Sequence, residues 1–211
     1  QEYYSEKQKA DDAIGSSYGY PVYFIKKNDV LRYGNAVGIM DRTALVIPGI
    51  RAIFAMDGTK LDFIHHELFH QFIGDNRYGE SEFCDAVCES AKGFSDAYAW
   101  YLDRCKKAYA DNITNEIIIE EITCDLCEYA MSGSEFMYNR LKGLFQEGAL
   151  EKLAEQARGI FEANKADAGQ RQTENKDGGQ RYYIDGQAAR GLTEEEFRDA
   201  LEAGGASLDA E

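Results

Sequence analysis

The change of hydrophobic rhythm near residue 60 constrains this 211-residue chain more than any other feature. Before it stand "YPVYFIKK" (20–27), "NAVGIM" (35–40), "TALVIPG" (43–49) and "RAIFAM" (51–56). These are short β-branched and aromatic runs separated by Gly, Asn and Asp, which is strand and turn chemistry. After it, Leu61, Ile64, Leu68 and Phe72 recur on one face of a helix. Thr59 with Asp62 resembles a capping box at the start of that helix, and Gly74 suits the C′ position at its end.

The same spacing argument predicts a polar helix over 1–13 and a long helix over about 80–109, with Phe83, Val87, Ala91 and Phe94 as its buried stripe. Further helices are expected over about 114–131, 134–146 and 150–165. Residues 166–180, "ADAGQRQTENKDGGQ", carry no periodicity and read as a flexible linker. Beyond it lies an acidic tail, 181–211, with a small strand and turn at "RYYIDGQ" and a capped helix at "LTEEEFRDALEAGG". A small sheet followed by helices makes residues 1–165 an α+β domain rather than a series of βαβ units.

Composition narrows the function classes. A hydrophobic fraction of 44% with 14 Tyr and 11 Phe supports a packed core. A formal charge of −15 argues against a nucleic-acid or anionic-membrane surface, because phosphate contacts need clustered Lys and Arg. No apolar run approaches the roughly 18–20 residues of a membrane helix. Five cysteines cannot all pair within one chain and sit inside helical patterns, so reduced thiols in a cytoplasmic protein are expected. The start, "QEYYSEKQKADDA", has neither an initiator Met nor an apolar signal core, and reads as a mature form or a domain cut from a longer protein.

All three histidines fall within six positions, as His65, His66 and His70, and His66-Glu67-Leu68-Phe69-His70 is an HExxH sequence. On a helix, positions i and i+4 lie one turn apart, so two imidazoles converge on one ion. Zinc takes neutral imidazole nitrogens at about 2.0–2.1 Å. Glu67, rotated by about 100° from His66, reaches a water on the ion and can take its proton as a carbonyl is attacked. His65 points elsewhere on the helix, and structural or surface use is expected of it.

Two histidines do not complete a catalytic zinc site, which usually has three protein ligands and one open position. A glycine three residues after the second His and a ligand three further on would be one solution, but those positions are Ile73 and Asn76. In "NEIIIEEITCDLCEYAMSG" (115–133), Glu121 and Asp125 are four apart and share a helix face. One of the pair can bind the ion while the other accepts the free N–H of a ligating imidazole. Glu120 competes for the ligand place, but only Glu121 has a carboxylate four residues on. Cys124-x-x-Cys127 and Cys84-x-x-x-Cys88 continue apolar helical patterns and read as small buried packing residues, with a thiolate ligand to the same ion as the lesser alternative.

HExxH on one helix and Glu-x-x-x-Asp on a later one resemble the gluzincins, the thermolysin-type zinc metallopeptidases. The resemblance covers roughly residues 20–131 and lies in the motifs alone; compact zincin domains of bacterial mobile-element or phage proteins are the nearest subgroup. It implies one catalytic Zn2+ held by His66, His70 and Glu121, with Glu67 as general base and Asp125 orienting a ligand imidazole. It also implies a zincin-like fold, a twisted sheet packed on the motif helix, and a peptide or protein substrate laid along an edge strand within 43–56. The chain has no further histidine to stabilise the oxyanion, which leaves Tyr129 and Tyr78, with His65 behind them. The rival expectations are a degenerate zincin that holds zinc for structure or binding, and a metal-free helical interaction module.

Overall fold

The computed structural model describes residues 6–25, 44–46, 52–56, 63–93, 95–109, 113–174, 182–184 and 187–189. Within them the chain is mostly helical and forms two units, one from residues 1–61 with 165–211 and one from 62–164.

In the first unit, helix α1 (Glu6–Ser17) runs beyond the 1–13 expected for it. Strands β1 (Val22–Ile25), β2 (Ala44–Val46) and β3 (Ile53–Met56) form one sheet in the order β1-β3-β2. β1 is parallel to β3, with Val22 opposite Ile53, and β2 is antiparallel to it, with Leu45 opposite Phe54. Of the strands expected within 43–56, β2 lies at an edge of the sheet among the described residues, and β3 is central. Ala52, Ile53, Phe54 and Ala55 are all buried, so both faces of β3 are covered. Asp12 of α1 accepts a hydrogen bond from the Val22 N–H (3.0 Å) and so ties the helix to β1. The expected run at 35–40, the capping box of Thr59 and Asp62, and Leu61 lie outside the described residues.

The second unit holds helices α2 (Ile64–Asp75), α3 (Glu80–Ser90), α4 (Asp96–Tyr109), α5 (Asn115–Ser132), α6 (Glu135–Leu141) and the first part of α7 (Ala149–Glu174). The long helix expected over 80–109 is two helices. Ala91 is extended and pairs with Phe145, Gly93 takes φ 80°, and α4 starts afresh with its Tyr98 N–H on Ser95 Oγ. A bridge to a distant segment thus overrides a helical pattern that runs straight through. Phe83 and Val87 of the expected stripe are buried; Phe94 lies outside the described residues.

α2 ends two residues later than its sequence suggests. Gly74 stays helical and exposed, and Asn76 takes the left-handed conformation at φ 40°, with its N–H on Phe72 O. Asparagine tolerates that region, and its Oδ1 also receives the Ser81 N–H (3.0 Å) at the start of α3. α7 runs on to Glu174, through the first part of the segment read as a linker, because lack of an apolar stripe does not stop a helix of Ala, Gln, Arg and Glu. The acidic tail contributes strands β4 (Tyr182–Ile184) and β5 (Gln187–Ala189), an antiparallel pair where a small strand and turn was expected; its expected helix lies outside the described residues. Among the described residues no helix is long and apolar enough to cross a membrane.

The core of the second unit joins Leu68, Phe69 and Phe72 of α2 to Phe83, Tyr101, Ile122, Leu126, Phe145 and Phe161. Phe69 meets Phe83 edge-on at 5.9 Å and Phe72 meets Phe161 at 5.0 Å. The start of α2 has no side-chain cap of its own. Instead Glu128, buried on α5, accepts the N–H groups of His65 (2.9 Å) and His66 (3.2 Å) through Oε2. A carboxylate at a helix N-terminus also meets the positive end of the helix dipole. Glu128→Ala leaves two buried N–H groups without acceptors and is expected to cost about 2–4 kcal/mol in denaturant unfolding, whereas Glu128→Gln, which keeps an oxygen there, costs less.

Candidate metal centre

The histidine-bearing helix α2 and the acidic helix α5 run antiparallel, since His65 meets Glu128, His66 meets Asp125 and His70 meets Glu120. Each has an apolar stripe toward the core and, beside it, a polar row turned toward the other helix. α5 holds its register through a Thr114 cap on the Ile117 N–H and a left-handed Gly133 at its end. The spacing i, i+4, i+7 therefore brings Glu121, Asp125 and Glu128 to one side, against His70, His66 and the start of α2.

The two imidazoles are held from outside and open toward each other. His66 Nδ1 lies 2.8 Å from Asp125 Oδ1, and His70 Nδ1 lies 2.6 Å from Glu120 Oε1. With Nδ1–H donated to a carboxylate on each ring, the Nε2 lone pairs remain. These two Nε2 atoms stand 3.3 Å apart. The Glu121 carboxylate faces both, Oε2 being 3.5 Å from His66 Nε2 and Oε1 3.6 Å from His70 Nε2. Donors placed 2.0–2.2 Å from a tetrahedral ion are separated by about 3.3–3.6 Å. The 3.3 Å between the two Nε2 atoms matches such an edge. The two Glu121 separations run to different oxygens, Oε2 toward His66 and Oε1 toward His70, so this carboxylate faces both rings but brings no single oxygen to both.

A second ring of side chains fixes the acids. Asp125, almost wholly buried, accepts Tyr101 OH at 2.6 Å, Arg104 at 3.1 Å and Arg140 at 3.0 Å, all on Oδ2. Glu121 accepts Tyr109 OH on Oε1 at 2.6 Å, and Arg104 reaches its Oε2 at 3.6 Å. Glu67 is half-buried next to His66, and its carboxylate accepts no hydrogen bond from a described residue.

The electrostatics of the group call for positive charge. Burial works against a charged His66, yet its hydrogen bonds to Asp125 and Glu121 and their charges outweigh that and raise its pKa to about 9. His70 is likewise lowered by burial and raised by Cys124, Glu120 and Glu121, ending well above its ordinary value. Against the cost of burial, the same imidazoles hold Glu121 far below the usual carboxylate range, and His66, Arg104 and Tyr101 do so for Asp125. Glu67 is pushed up by burial, despite the pull of His66 and His70. A cation between the two Nε2 atoms would take the place of those protons.

Of the site residues expected from sequence, His66, His70, Glu121 and Asp125 are brought together and Glu67 lies beside them. Glu120 is not idle: it holds the outer edge of the His70 ring. Tyr129 and Tyr78 are not brought to the cluster. Tyr129 faces Tyr138, with ring centres 5.8 Å apart, because it lies two turns beyond Glu121 on α5. Tyr78 stands exposed on the short connection between α2 and α3. His65 is buried edge-on to Phe161, its Nδ1 without a hydrogen-bond partner and 3.8 Å from Glu128. The tyrosine beside Glu121 is Tyr109 instead. Spacing alone gave no sign of Tyr101, Arg104, Tyr109 or Arg140, since they arrive from α4 and α6. The five cysteines are free; Cys105, Cys124 and Cys127 are buried, as packing residues would be, but Cys124 lies against His70.

No protein family, curated protein or solved structure matched the chain. Asp125→Asn removes the anion that His66 Nδ1–H and both arginines share. It is expected to weaken Zn2+ binding about 10–100-fold, read by competition with a chromophoric chelator.

Proposed function

We propose that the chain is a zinc-dependent peptide-bond hydrolase of zincin type. The observation that carries this reading is the pair of Nε2 atoms of His66 and His70, 3.3 Å apart and faced by the Glu121 carboxylate, with both Nδ1 atoms already taken by carboxylates. The element order supports it, since a small sheet with an antiparallel edge strand precedes the motif helix, as a zincin-like fold requires.

His66, His70 and Glu121 would hold the ion, and a zinc ion there would polarise a carbonyl and acidify water. The residues of the chain supply the rest. Asp125 and Glu120 keep the imidazoles in the tautomer that leaves Nε2 free, and Tyr109 keeps Glu121 Oε1 turned inward. Glu67, whose carboxylate accepts no hydrogen bond from a described residue, takes the proton of the attacking water and returns it to the leaving amine nitrogen.

Zinc-loaded protein is expected to carry one equivalent of metal and to cleave an unstructured polypeptide. Glu67→Gln should keep its zinc and lower hydrolysis about 10²–10⁴-fold. A Glu67→Gln protein as active as the parent would rule out this mechanism, and zinc binding without any glutamate-dependent cleavage would favour a zinc-holding scaffold. Glu121→Ala should lose the metal in dialysis, while Glu120→Ala, which removes only the support of His70, should weaken it about 10–100-fold.

A further inference from the structure

Cys124 occupies a place that packing alone does not explain. It follows Glu121 by three residues, one turn along α5 on the side that faces α2. Its side chain is wholly buried and it is a free thiol. A cysteine that only fills space sits among apolar atoms, whereas this one lies beside the two metal-ligating imidazoles. Its Sγ and one ring nitrogen from each of His66 and His70 all lie within 4.8 Å of one another. Sulfur at about 2.3 Å and nitrogen at about 2.1 Å from a tetrahedral ion are separated by about 3.6 Å.

We propose that Cys124 is a fourth protein donor to the ion held by His66, His70 and Glu121, and that with its thiolate bound the centre is closed. This rests on the metal-centre reading above. Four protein ligands are the pattern of closed zinc sites, whereas three with an open position are that of catalytic ones. Closing forms one sulfur–metal bond as the S–H proton leaves to solvent. Opening breaks that bond, returns the proton to Sγ and frees one position for water, with no oxidation or reduction. The same donors thus serve a resting state and a working state, and the thiol decides between them.

Cobalt(II) tests it, because thiolate ligation gives an intense near-ultraviolet charge-transfer band that imidazole and carboxylate ligation do not. The reduced full chain, stripped of metal, should take up one equivalent of Co2+ and show the band. Cys124→Ala and Cys124→Ser should still bind Co2+ without the band. With Zn2+, Cys124→Ala should cleave a quenched fluorescent peptide mixture roughly tenfold faster than the parent, as an open position predicts. That gain should vanish when Glu67→Gln is added. Stoichiometric Co2+ without the band in the parent overturns the proposal and leaves the hydrolase reading standing. A band that Cys124→Ala abolishes with no gain in cleavage overturns the closure. A gain that survives Glu67→Gln overturns the hydrolase mechanism instead, and a chain that binds no Co2+ overturns both.

Discussion

The carboxylate of Asp125 is the contact on which the second unit depends. Oδ1 faces His66 of α2, while Oδ2 receives Tyr101 and Arg104 of α4 and Arg140 of α6. One side chain of α5 therefore fixes three other helices against its own. Burying an anion costs several kcal/mol unless it is fully paired, and here each of its oxygens is committed. Arg140 is in turn gripped between the rings of Trp100 and Phe136, each 4.6 Å from its guanidinium carbon, so the clamp extends to the surface. Because the pairing is complete, the imidazole of His66 has one orientation and one tautomer open to it.

This arrangement sets a polar row inside an apolar interface. Ile118, Ile122 and Leu126 of α5 and Leu68, Phe69 and Phe72 of α2 are buried beside Glu121, Asp125, Glu128 and the histidines. Such a row is stable only when its members are satisfied, since a low dielectric strengthens made bonds and penalises missing ones. The row meets that demand by reading across the helices: main-chain N–H groups on Glu128, imidazoles on Asp125 and Glu120, a phenol on Glu121. His65 Nδ1 is the exception among the described residues. Its ring instead fills the space over Phe161.

What was legible in the sequence follows from the range of the forces involved. HExxH and Glu-x-x-x-Asp could be placed because helical periodicity alone fixes which side chains share a face. The choice of Glu121 over Glu120 as the inward carboxylate was also readable, because only Glu121 has Asp125 one turn on. Tyr109, Tyr101 and Arg104 were not readable, because their approach depends on how α4 packs across α5, and no local spacing encodes that. Tyr129 failed for the converse reason: it shares a helix with Glu121, but lies too far along it. The break at Ala91–Ser95 was hidden because the Ala91–Phe145 bridge joins residues far apart in sequence. Asn76 displaced Gly74 as the end of α2 because its side chain gains Ser81 N–H, a contact that exists only once α3 is in place.

The adjacent acids Glu120 and Glu121 look redundant in sequence and are complementary in space. Neighbouring helix positions differ by about 100° in direction, enough for one carboxylate to reach the outer edge of the His70 ring and the other its inner edge. Glu120 lies at Nδ1 (2.6 Å) and Glu121 at Nε2 (3.6 Å), so a single imidazole is bracketed by both. The outer acid is 36% exposed at its side chain and the inner one 9%, and that difference separates their chemistry. Water can share the charge of Glu120, which leaves it free to act as a hydrogen-bond acceptor. The charge of Glu121 has little water to share it and must be answered by protons, by Tyr109 and Arg104, or by a cation. A pair of identical residues thus yields one carboxylate at the outer edge of the ring and one at its inner edge, and their order along the helix assigns the places.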